Sequence, residues 1–111
     1  MQTALQVIRW QEKVAPSEQE LRKRMQQDGL SPYTWSNGSG YQYAVHSHGY
    51  QKVLYCVHGS IRFFLPDSPD AAGNPSVLAL QPGDCMILPT GVRHSAQVGE
   101  QGVTCLEAAR H

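Results

Sequence analysis

His46 and His48 stand two positions apart at the end of a run rich in tyrosine and valine, Tyr41 to Val45. In an extended chain, side chains two positions apart point to the same side. Both imidazoles can therefore reach one metal ion, each at about 2.0–2.2 Å. A pair of surface histidines, or a packed pair, fits the same spacing. Of the five histidines, His58 precedes a glycine turn and His111 is the last residue, and both are expected at the surface. Cys56, Cys85 and Cys105 show no C-x-x-C spacing and fall within apolar runs. A free thiol in that setting behaves as a small buried hydrophobe, which suits a reducing compartment.

Short strands must position these residues. The chain has 111 residues, enough for one domain, and its ten glycines and seven prolines break it into many segments. Runs of Val, Leu, Ile, Tyr and Phe cover Tyr41–Val45, Lys52–His58, Ser60–Leu65, Ser76–Leu80, Asp84–Leu88, His94–Val98 and Val103–Ala108. Turn-forming clusters such as Pro66-Asp67-Ser68-Pro69, Gly73-Asn74-Pro75 and Pro89-Thr90-Gly91 separate them. That spacing predicts an antiparallel sandwich or barrel. Before it lies one helix, residues 17–28, with a Ser17/Glu20 capping box and a Gly29 stop. Leu21 and Met25 give it a narrow apolar stripe, so it covers another surface rather than forming a core. In the run from Lys52, Val53, Tyr55 and Val57 oppose Leu54 and Cys56, so both faces are apolar. One face lines the barrel, and the helix or a second subunit covers the other.

Nine basic and nine acidic residues give a net charge of zero. This excludes the basic footprint of a nucleic-acid binder and a polybasic membrane patch. No apolar run approaches the roughly 18 residues needed to span a bilayer. The stretch Met1–Trp10 does not read as a secretory leader, so a cytoplasmic location is expected.

Two spacings carry a family resemblance. Gly40, His46, His48, Lys52 and Gly59 follow the first cupin motif, and Gly83, Pro89, Gly91 and His94 follow the second, in the same order. The chain thus resembles a small single-domain member of the cupin superfamily. The fold this implies is all-β: a double-stranded β-helix, the cupin jelly-roll barrel, with one short N-terminal helix. Residues 1–32 would form an N-terminal strand and helix packing on a barrel of residues 33–111. The resemblance also implies that His94 joins His46 and His48 inside the barrel as a three-histidine site for one divalent transition metal: Fe, Ni, Mn, Cu, Co or Zn. Imidazole suits several of these, and three neutral ligands leave coordination positions open.

The sequence departs from the family pattern at two positions. Lys52 stands where cupins usually carry a glutamate ligand, and Val98 where an asparagine is usual. A divalent ion about 6 Å from an ammonium is repelled by about 5 kcal/mol at an effective dielectric of 20. Lys52 is therefore expected to swing to the mouth, lose its proton, pair with a carboxylate such as Glu107, or hold an anionic substrate above the metal. Cupins with three histidines and no glutamate ligand include dioxygenases of thiols and diketones. By resemblance, the chain is a metal-dependent dioxygenase or isomerase of a small organic, anionic molecule. The alternative is a non-catalytic cupin that binds a metabolite or metal as a sensor or regulatory module. Arg62 and Arg93 are expected to be surface charges, and Trp10 and Trp35 core or interface residues. A homodimer is expected, built on Val53, Tyr55 and Val57.

Overall fold

The structure is a computed structural model that describes residues 5–111. The leader reading therefore falls partly on residues outside the described range. In chain order the elements are β1 (Gln6–Ile8), α1 (Glu18–Gln27), β2 (Tyr33–Asn37), β3 (Gln42–His46), β4 (Gln51–Pro69), β5 (Pro75–Leu80), β6 (Cys85–Leu88) and β7 (His94–Arg110). The strands form one antiparallel seven-stranded sheet in the order β1-β6-β4-β7-β2, with β3 added on β7 and β5 on β4.

Two long strands organise it. β4 and β7 run antiparallel from Gln51↔Arg110 to Phe64↔Ser95. The start of β4 pairs with β6 and its later part with β5, while β7 carries β3 early and β2 late. Each long strand thus serves two parts of a rolled sheet. Lys52–His58 and Ser60–Leu65, expected as separate runs, are one strand, and so are His94–Val98 and Val103–Ala108. The glycines that read as turns are bends within a continuous ladder. Gly59 has φ +75°, and a Cβ there would lie 1.9 Å from the Gly102 carbonyl oxygen.

The bends reverse the side-chain alternation. Before Gly59 the even positions Leu54 and Cys56 enter the barrel core, and after it the odd positions Ile61, Phe63 and Leu65 do. β7 reverses likewise: Ala96 and Val98 point inward before its bend, and Val103 and Cys105 after it. Val98, at the position of the usual asparagine, is a buried core residue. The three cysteines are free and buried. Burial pushes the Cys85 thiol up to about 11 and the Cys56 thiol up to about 12.

α1 starts where the sequence places it. Its Glu20 backbone N–H donates to Ser17 Oγ at 3.1 Å. After Gly29, the Leu30 N–H returns to the Met25 carbonyl at 2.9 Å. Leu21, Met25 and Leu30 pack with Val53, Val57, Cys85, Leu106 and Ala108 in a second core outside the barrel. Val53 and Val57 are thus sealed by the chain's own helix, and only Tyr55 of that face remains half-buried. The apolar face from which a dimer was expected is not free. The N-terminal strand is pinned separately: buried Asp84 accepts from the Arg9 guanidinium, the Trp10 N–H and the Gln81 N–H, each at 2.9 Å. Among the described residues no helix is long and apolar enough to cross a membrane.

Candidate metal centre and pocket

The end of β3, the turn after it and the first residue of β7 place His46, His48 and His94 together. Their candidate ligand atoms all lie within 4.8 Å of one another. Ring centroids are 4.9 Å apart for His46–His48, 4.3 Å for His46–His94 and 5.2 Å for His48–His94. β3 pairs with β7 at His46↔His94, which brings the two parts of the cluster into register.

Backbone carbonyls set two of the tautomers. His46 Nδ1 lies 2.8 Å from the Ala44 carbonyl and His94 Nδ1 lies 2.9 Å from the Val92 carbonyl. A carbonyl only accepts, so each Nδ1 carries a proton, which leaves Nε2 as the nitrogen available to a metal. The Nε2 atoms of His94 and His48 are buried without a hydrogen-bond partner. Burial lowers the His94 pKa to about 4, against the carbonyl at Val92 and with help from His46, Lys52 and His48. Burial also lowers that of His48, aided by Lys52 and His46. Neutral imidazoles with free, orphaned nitrogens are the donor set that a divalent transition metal takes. The residues fit such an ion.

The cluster opens into a cavity of about 280 Å³ walled by Tyr33, Trp35, Tyr43, Tyr50 and Phe63, with Lys52, Glu107, Ile61 and Ala96. Lys52 neither reaches the mouth nor approaches the ion site alone. Its Nζ is 3.1 Å from Glu107 Oε1, and both side chains are buried. Trp35 Nε1 donates to the same oxygen at 3.0 Å, and the Tyr33 hydroxyl donates to Oε2 at 2.6 Å. Burial, then the bond to Glu107, keeps the Tyr33 phenol protonated well above its ordinary range. Glu107 is one of the carboxylates anticipated as a partner for Lys52, and it sits outside the histidine cluster.

Other side chains do not join the cluster. His58 and His111 are exposed, with the His111 ring 6.0 Å from that of the wall residue Tyr50, Arg62 bonds Gln97 and Arg93 pairs with Asp67. Trp35, expected as a core or interface residue, is part of the aromatic wall, and Tyr33 was not assigned to the site. The signal lay in parity: Tyr33, Trp35 and Asn37 alternate on one face, and β2 pairs Tyr33 with Glu107.

No family model matches the sequence, and no curated protein matches it. Solved structures do. Oxalate decarboxylase from Bacillus subtilis aligns with 72% of this chain at 25% identity and a TM-score of 0.60. A cupin-2 domain protein from Shewanella frigidimarina aligns with 73% of this chain and 71% of its own, at 16% identity and a TM-score of 0.57. A DMSP lyase aligns with 74% of this chain and 38% of its own, at 23% identity and a TM-score of 0.62. The chain spans about a fifth of the oxalate decarboxylase, covering 20% of it. That enzyme has Mn(II) centres. The fold of this chain is therefore that of the cupins, a jelly-roll barrel with one short helix.

Proposed function

We propose that this cupin-fold chain is a small metal-dependent enzyme in which His46, His48 and His94 hold one divalent transition metal beside a pocket for a small organic substrate. The observation that carries the reading is the pair of buried, unpartnered Nε2 atoms of His48 and His94, which converge with His46 on an open cavity. When bound, the ion would supply Lewis acidity, or redox chemistry if it is iron, at positions the three imidazoles leave free. The chain's own residues do the rest. Ala44 and Val92 carbonyls orient the rings of His46 and His94, and the aromatic wall gives a substrate an apolar surface to rest on. Glu107 offsets the Lys52 charge, so the pocket tolerates a cation in the usual glutamate position.

A dioxygenase- or isomerase-type reaction is the class we favour, because no protein carboxylate joins the cluster and the open positions are left for substrate and co-substrate. Metal analysis of protein purified without chelator is expected to show about one equivalent of a transition metal, or uptake of one on titration. Less than about a tenth of an equivalent with no uptake sinks the reading. Oxygen consumption with Fe(II) across thiols, diketones and phenolics then tests the dioxygenase assignment.

One feature favours a second reading, a non-catalytic module that binds a metal or metabolite. Lys52, Tyr33 and Trp35 all engage Glu107, the one carboxylate among the cavity's wall residues. Stoichiometric metal with no turnover on any substrate would support that module. A homodimer remains part of the proposal on narrower ground. Tyr33, Tyr41 and Val45, on or beside strands β2 and β3, are each about half exposed at 49–53%. Light scattering near twice 12.3 kDa supports it, and a mass of 12.3 kDa overturns it.

A further inference from the structure

We propose that Lys52 anchors the carboxylate of a small organic acid whose body rests against the aromatic wall of the pocket. The inference rests on reading this pocket as the substrate site.

An ammonium group carries three donor hydrogens and no acceptor. Lys52 is 6% exposed, and among the described residues its polar side-chain partner is Glu107 alone. The ion pair balances its charge without using all its donors. Glu107 is more fully occupied: Oε1 faces Lys52 and Trp35, and Oε2 takes the Tyr33 hydroxyl. Three groups from two strands thus hold the carboxylate, and the carboxylate holds the ammonium at the cavity wall. Nζ also lies 5.8 Å from the Phe63 ring centroid, and the Phe63 ring is 6.2 Å from that of His94. The ammonium is therefore held by its counter-ion in the same cavity wall that carries the three histidines.

The local charge selects the ligand. The wall carries one carboxylate, Glu107, and it is already committed to Lys52, so nothing in the wall offsets the two positive charges of a bound ion. A carboxylate ligand can meet both the ion's charge and the spare donors of Lys52, whereas its neutral amide counterpart accepts from Lys52 through its carbonyl oxygen alone and brings no charge to the ion. The remaining surface is aromatic, and the cavity of about 280 Å³ limits the ligand to a small molecule.

Matched acid and amide pairs test this by isothermal titration: acetate with acetamide, benzoate with benzamide, cinnamate with cinnamamide. Zinc-loaded and metal-free protein are compared. In the loaded protein at least one acid is expected to bind tenfold or more tighter than its amide. Lys52→Met is expected to weaken that acid about 30-fold, to leave the amide within about threefold, and to retain zinc. Because Lys52→Met strands a buried carboxylate, Lys52→Met/Glu107→Gln is compared with Glu107→Gln alone. The double variant is expected to bind the acid about tenfold more weakly than the single. Equal affinities in that comparison, or no preference for any acid over its amide in wild-type protein, overturn the proposal. If the protein takes up no metal, the metal reading fails by itself. The Lys52 dependence in metal-free protein then decides the anchor.

Discussion

His94 is the most tightly determined residue of the site. It is fully buried, its Nδ1 is committed to the Val92 carbonyl, and its Nε2 is left without a protein partner. Charging it inside the barrel is costly, because burial holds its pKa at about 4. An unfolded histidine titrates near 6.5. Between those values the unfolded chain binds the extra proton and the folded chain does not. Stability from this residue is therefore complete above about pH 6.5 and is lost as pH falls toward 4. The gap corresponds to about 3 kcal/mol. Urea unfolding of metal-free protein is expected to show that decline across the window, and His94→Gln, which cannot titrate there, to flatten it. An equal decline in the variant would assign the pH dependence to other groups. At this scale the sequence was informative where two residues sit close along the chain, as with His46 and His48. The Lys52–Glu107 contact was anticipated as one of several options. Tyr33 and Trp35 were not assigned to it, because what places them is a pairing with β7 far along the chain, and neither residue type announces a hydrogen bond to a carboxylate.

At the scale of elements, the two bent strands decide where the pocket lies. Alternation alone would carry Lys52 and the residues after Gly59 along a fixed parity, yet the inward set changes from Leu54 and Cys56 to Ile61 and Phe63. The same reversal in β7 lets His94 and Glu107 both reach the pocket although one is even and the other odd. Glycines in the sequence marked these places correctly as irregular, but composition cannot separate a turn that ends a strand from a bend that continues it. Pairing across the sheet makes that distinction. Gly59 and Gly29 share a left-handed backbone, at φ +75° and +80°, but only Gly59 is crowded. Gly29→Ala meets no atom within 4 Å, so it is expected to cost about 1–2 kcal/mol, the price of the backbone conformation alone. Gly59→Ala drives a Cβ into the Gly102 carbonyl and is expected to cost about 4 kcal/mol or more. Urea midpoints of the two variants provide the comparison. Similar losses would mean that the β4–β7 crossing yields easily at this bend.

For the whole molecule, the fold is what makes the metal site one object. His46 and His48 reach it from β3 and the following turn, and His94 from the start of β7, so an unfolded chain does not hold the three nitrogens together. A metal that binds only the folded form stabilises it by mass action, about 2.7 kcal/mol at one hundred times its dissociation constant. For a domain of this size that corresponds to a rise of about 10 °C in melting temperature. His46 is the least buried of the three ligands, so His46→Ala is expected to leave the metal-free melting temperature nearly unchanged. The same variant removes a third of the ligand set and is expected to abolish most of the metal-induced rise. Differential scanning calorimetry of wild type and His46→Ala, each with and without metal, separates the two effects. A rise that survives in His46→Ala would place the metal on other groups, while a rise absent from both proteins would leave the three histidines without an ion. The neutral balance of nine basic and nine acidic residues gives no hint of this coupling. It arises because the barrel gathers three imidazole donors from two separated segments and sets a compensated Lys–Glu pair beside them.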